Sequence, residues 1–182
     1  PFGGWKQSSV GPTAKAGGPH YVEQLRNWPL VVDASAAEKS AQIWWERSGS
    51  QAMPTSQLDV ERNYLRYRAY KDPILVRVDG STSDQERLFI SWLTRQMEIT
   101  IILSDNERSE DFLEFALNNP VGKVRWLSSE IPPTKELAEK GISVDSRPLT
   151  QVGGVEFTRW LQEQSISITN HRYGNIGTGL IP

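Results

Sequence analysis

Residues able to do chemistry are few in this chain, and they are scattered. It contains no cysteine, so it holds no thiolate nucleophile, no redox pair and no thiolate metal site. Its only two histidines are His20 and His171. A histidine-rich metal site is therefore excluded, and each histidine is expected to serve the structure. Glu110-Asp111 puts two carboxylates at a helix start, where they favour the dipole. No nucleophile or base is spaced to work with them, so no catalytic residue is assigned.

One turn invites an anion. Val78-Asp79-Gly80-Ser81-Thr82-Ser83 joins a strand to a helix, and a helix N-terminus offers free N–H groups and a positive dipole end. The Gly-x-Gly-x-x-Gly spacing is absent, however, and only Gly80 is there for close approach to a pyrophosphate. A Gly-x-x-x-x-Gly-Lys-Ser/Thr loop is absent too. Ordinary hydroxyl capping of the helix is the expectation, with no cofactor-binding or metal residue assigned. Gly153-Gly154 reads as a flexible turn.

Thr169-Asn170-His171-Arg172-Tyr173-Gly174-Asn175 opens a final stretch that runs to Pro182. It mixes hydrogen-bonding groups and glycines with Ile176, Leu180 and Ile181. That composition suits an extended segment lying in a groove, held by main-chain hydrogen bonds. A frayed terminus is the alternative.

The elements that must position these residues follow from periodicity. Residues 1–19 are glycine-rich and without helical or strand period. Ala36 to Arg47 reads as a helix with Ala37, Ala41, Trp44 and Trp45 on one face. Ser48 to Leu58 reads as a loop. Val60 to Tyr70 reads as an extended strand with arginines at alternate positions, either solvated or an edge for pairing. Ile74 to Val78 is a buried-type strand, and Ser83 with Glu86 makes a capping box for a helix to about Met97. Further strands are expected at Ile99 to Leu103, Lys123 to Leu127, Ile142 to Val144 and Ile166 to Thr169. Helices are expected through Phe112 to Ala116, after Pro132-Pro133 up to Gly141, and from Val155 to Gln164. Alternation of this kind makes residues 72–169 a small doubly wound α/β unit on a parallel sheet, with right-handed crossovers.

The 182 residues suffice for one domain and an appendage. Net charge is −2, from 20 basic and 22 acidic side chains. That balance predicts neither nucleic acid nor an anionic membrane as partner. No apolar run is long enough to span a membrane. The lack of cysteine fits a cytoplasmic location.

Two blocks carry a resemblance. Pro1 to Val22 (PFGGWKQSSVGPTAKAGGPHYV) resembles the late Pro-Phe-Gly-Gly block of aldehyde dehydrogenases, and Lys15 to Tyr21 is similar to the L-glutamate γ-semialdehyde (pyrroline-5-carboxylate) dehydrogenase branch. Ile166 to Pro182 looks like the C-terminal motif of the proline utilization A family and its long relatives. Residues 72–169 resemble the extra Rossmann-like domain of the longer members, by element order more than by residues.

The resemblance implies an α/β fold: a small Rossmann-like doubly wound parallel sheet, an irregular glycine-rich N-terminal segment and an extended strand or flap. It implies that residues 1–30 are a remnant of the catalytic domain, 31–71 a helix plus flap, and 72–182 the Rossmann-like C-terminal domain with its motif at 166–182. Phe2, Gly3 and Gly4 match the aldehyde-pocket aromatic and its turn. Thr169 to Asn175 match the lid motif. The nucleophilic cysteine, the base and the NAD-binding domain are then expected upstream of Pro1, with NAD, and FAD if proline dehydrogenase is fused, as cofactors of the parent oxidoreductase. Expected partners are the upstream domains of the same polypeptide and a second subunit. The alternative is a free-standing nucleotide-binding or oligomerisation module.

Overall fold

The computed structural model describes residues 17–55, 61–169, 171–172 and 175–176. After a 3-10 turn at Glu23–Leu25, the first helix is α1 (Ala34–Trp44), continued by a π-helical turn at Trp45–Gly49. Asp33 caps α1, its side chain accepting from Ser35 N at 2.9 Å. The helix thus starts two residues before the expected Ala36. The expected loop after it contains a short strand, β1 (Met53–Pro54). Next comes β2 (Glu61–Arg68), within the strand read from sequence.

The α/β unit then runs β3 (Ile74–Val78), α2 (Asp84–Gln96), β4 (Ile101–Asp105), α3 (Ser109–Asn118), β5 (Lys123–Trp126), α4 (Thr134–Glu139) and β6 (Val144–Asp145). Its four strands are parallel, in the order β4-β3-β5-β6. Every residue of β3 is buried, as its β-branched run requires of a central parallel strand. One face of the sheet, with Ile74, Val76 and Val78, packs against Phe89, Ile90 and Leu93 of α2 and Ala37 and Ala41 of α1. Leu75, Val124 and Trp126 face the other way, onto Phe112 and Ala116 of α3 and Leu137 of α4. Helices cover both faces, so the unit is doubly wound. The expected capping box on α2 is present, and Gly141, at φ +74°, follows α4 where a stop was expected.

The end of the chain departs from expectation. Helix α5 (Gly153–Trp160) is shorter than Val155 to Gln164, because Leu161 is already extended at φ −117°, ψ 161°. A long strand, β7 (Gln162–Thr169), follows directly. It does not join the parallel sheet. It pairs antiparallel with β2 along its whole length, Glu61 opposite Thr169 and Arg68 opposite Gln162, in a separate sheet β1-β2-β7. The polar alternation of Gln162 to Thr169 suits a strand with one face wet. At the inner end of this arm Leu65 and Tyr67 sink into the core beneath α1 and α5.

Gly153 and Gly154 are not a flexible turn. They form the first turn of α5, pressed on α1. A Cβ on Gly153 would lie 2.3 Å from Ala41 Cα, and one on Gly154 would lie 2.6 Å from Trp44 Cδ1. Only glycine permits this approach. Residues 29–31 are tied to the same region: Leu30 bridges Thr150, and Thr150 Oγ1 donates to the Pro29 carbonyl at 2.7 Å.

Candidate functional site

In an open parallel sheet a ligand lies beyond the carboxyl ends of the strands, where strand order reverses. Here that place is between β3 and β5. Asp79, just after β3, fills it. Its Oδ2 accepts from Ser128 Oγ at 2.7 Å, Ser129 N at 2.8 Å and Ser129 Oγ at 2.9 Å, while Oδ1 accepts from Ser81 N at 2.8 Å. The hydrogen bonds from Ser81 and Ser128 hold the carboxyl well below the ordinary aspartate range. A fixed negative charge therefore occupies the place where a pyrophosphate would approach.

The α2 terminus beside it is also committed. Glu86 N donates to Ser83 Oγ at 3.3 Å, and Ser83 N donates to Glu86 Oε2 at 2.8 Å. Arg87 laces the edge further, donating to both Asp105 oxygens at 2.7 and 3.1 Å and to the Asp79 carbonyl at 2.8 Å. Buried Arg77 reaches from β3 to Ser104 Oγ at 3.1 Å and pairs with Glu130 at 3.3 Å. The turn works as a capped, cross-linked strand end.

A second constellation lies inside the molecule. β5 buries Lys123 and Arg125 on the face turned toward α5. Arg125 pairs with Asp145 of β6 at 3.1 Å and with Glu156 of α5 at 2.9 Å. Glu156 is wholly buried and accepts from four groups: Arg125, Arg159 Nη1 at 3.1 Å, Trp160 Nε1 at 2.8 Å and Thr150 N at 2.9 Å. Lys123 Nζ donates to the Arg159 carbonyl at 2.6 Å and stands 3.7 Å from Asp145. Burial alone would raise the Asp145 carboxyl, but Arg125, Arg147 and Lys123 outweigh it and hold it far below the usual range. Burial pushes the Lys123 ammonium down to about 8.

His20 has the structural place expected of it. It is buried, its Nδ1 is 2.5 Å from Glu23 Oε2, and its ring meets Trp44 edge-on at 5.6 Å. Trp44, Trp45 and Phe157 stack nearby, with centroids 5.4 and 5.2 Å from Phe157.

Of the residues assigned from resemblance, Thr169, His171, Arg172 and Asn175 are among the described residues. Phe2, Gly3 and Gly4 lie outside the described residues, as do Asn170, Tyr173 and Gly174. Thr169 is the exposed last residue of β7, opposite Glu61. His171 and Arg172 form β8 (His171–Arg172), which pairs antiparallel with β9 (Asn175–Ile176), Arg172 opposite Asn175. Among the described residues no group of three or more His, Cys, Asp or Glu could hold a metal ion, and no helix is long and apolar enough to cross a membrane. The sequence reading missed the buried charges. Their trace was a Lys-x-Arg in a strand of buried type and a Glu-x-x-Arg on the helix that covers it.

Comparison with solved structures then gives a whole-chain match. This chain is similar to proline utilization A. The structure of proline utilization A (PutA) from Corynebacterium freiburgense matches over 97% of this chain, with 28% sequence identity and a TM-score of 0.68. The chain spans 19% of that protein's length. No family model matches the sequence. No curated protein matches it. The α/β, Rossmann-like architecture read from sequence is thus shared with a solved PutA.

Proposed function

We propose that this chain is the C-terminal portion of an NAD-dependent L-glutamate γ-semialdehyde dehydrogenase of proline catabolism, and that it is inactive alone. The observation that carries the reading is the likeness to PutA along nearly the whole chain, joined to the absence of any cysteine. In that enzyme class a thiolate attacks the aldehyde, NAD accepts hydride, and water releases the acid. None of those reacting groups is supplied here, so they belong to polypeptide upstream. NAD is then the parent's cofactor, joined by FAD if proline dehydrogenase is fused to it.

On this reading the α/β unit is structural. Its carboxyl edge is occupied by Asp79 and its own serines, which suits packing on a dehydrogenase and not nucleotide binding. The arm formed by β2 and β7 is a sheet separate from the parallel one and ends at Thr169, and on this reading residues 166–182 act as a lid over the cavity that the reactive intermediate crosses. Keeping the aldehyde from bulk water prevents its loss.

The test is truncation of residues 166–182 in the intact enzyme, with proline-to-glutamate flux and free intermediate measured together. Flux is expected to fall while intermediate leaks to solvent. Unchanged flux at unchanged stability would reject the lid.

A further inference from the structure

The buried charges of β5, β6 and α5 do not balance. Lys123, Arg125 and Arg159 are enclosed with two carboxylates, Asp145 and Glu156, while the partly exposed Arg147 pairs with Asp145. Carbonyls of Asp145, Arg147, Pro148 and Arg159 accept hydrogen bonds from these cations. They spread the positive charge without cancelling it. Burying uncompensated charge is costly, so one buried cation in excess, with Arg147 beside it, calls for an anion.

The cluster opens on one side into a cavity of about 400 Å³, lined by Leu25, Arg26, Trp28, Leu30, Arg147 and Arg159, among others. Arg159 is only 5% exposed, and among the described residues its Nε–H has no hydrogen-bond partner. Arg26 adds a third guanidinium from the opposite segment, its charge over the Trp28 ring at 5.1 Å. Leu25 and Leu30 supply apolar wall at the mouth, 82% and 55% exposed. Guanidinium groups beside an aliphatic wall match a carboxylate on a short apolar stem.

We propose that this cavity is an anion site, in which Arg26, Arg147 and Arg159 hold a carboxylate or similar oxyanion. The ligand is a small free acid or an acidic side chain of the parent polypeptide. Only the second source rests on the function proposed above.

The experiment is calorimetric and thermal-shift titration of the 182-residue chain with sulfate and with butyrate, against chloride at equal ionic strength. Sulfate or butyrate is expected to bind and to raise the Tm above the chloride control. R26Q is expected to weaken that binding about 10-fold, the loss for one charge-assisted hydrogen bond. R108Q removes the same charge from the start of α3 and is expected to leave binding unchanged. No binding of either anion would overturn the site, and so would equal weakening by R26Q and R108Q. Repeating the titration on the longer enzyme identifies the source: retained binding means a free ligand, and lost binding means that a side chain already fills the cavity.

Discussion

Glu156 of α5 and Arg125 of β5 form an ion pair at 2.9 Å with both side chains fully enclosed. The pair fastens α5 to the parallel sheet, and α5 leads directly into β7. The position of the arm therefore depends on a contact between residues 31 positions apart.

Removing one partner leaves the other charge buried with one ion pair fewer, Arg125 keeping only Asp145 and Glu156 only Arg159. Glu156→Gln or Arg125→Met is expected to cost about 3–5 kcal/mol. The double variant Arg125→Met/Glu156→Gln is expected to cost less than the two singles added together. Denaturant unfolding of all three proteins measures the coupling, and strict additivity would show that the pair does not act as a unit.

Lys123 makes stability depend on pH. Its folded pKa is pushed to about 8 by burial first, with Arg125 and Arg147 adding to the shift and Asp145 opposing it. Both states hold the proton below pH 8, whereas between there and about 10 the unfolded chain binds it better, so stability rises across that window. The gain is about 3 kcal/mol at most. Burial also raises the Tyr67 and Tyr70 hydroxyls, which reverses the trend above about pH 10. Urea midpoints from pH 7 to 11 trace the curve, and Lys123→Met is expected to flatten its rising limb.

Two glycines make opposite predictions. A methyl at position 153 would meet the α1 backbone at Ala41, whereas one at Gly80 would meet nothing within 4 Å. Gly153→Ala is expected to cost about 3 kcal/mol, the upper range for overpacking. Gly80→Ala is expected to stay within about 0.5 kcal/mol of the parent. Thermal unfolding compares them, and equal losses would mean that α1 and α5 do not meet as closely as described.

The carboxyl edge predicts weak affinity for nucleotides. Asp79 and Glu86 present two carboxylates where a phosphate would approach, so calorimetry with NAD and with ATP is expected to show no micromolar binding. Asp79→Asn removes one charge without creating a phosphate loop and is expected not to confer it. Micromolar binding by the parent chain would favour a nucleotide-binding module.

Local signals were legible in the sequence and distant pairings were not. Ser83 and Glu86 lie three residues apart and announced the α2 capping box. Gly141 announced the end of α4, and the β-branched run at Ile74 to Val78 announced a central strand. Lys123 and Arg125 could not be read as enclosed charges, because their partners Asp145 and Glu156 lie on other elements. Ile166 to Thr169 was assigned to the wrong sheet, and Gln162 to Gln164 to the preceding helix, for the same reason. Their partner strand is β2, about a hundred residues earlier in the chain: Arg66 Nε donates to Gln164 Oε1 across 98 positions. Composition could not reveal that Gly153 and Gly154 serve helix packing, since a turn and a close crossing favour the same residue. Of the candidate site, His20 had its expected structural role, whereas Phe2, Gly3 and Gly4 lie outside the described residues.

The most direct test is to read the messenger RNA on the 5′ side of the codon for Pro1. A structural C-terminal portion requires an open frame there that encodes an NAD-binding domain and a nucleophilic cysteine. A start codon immediately before Pro1, with a purified product that reduces NAD on glutamate γ-semialdehyde, would contradict the account.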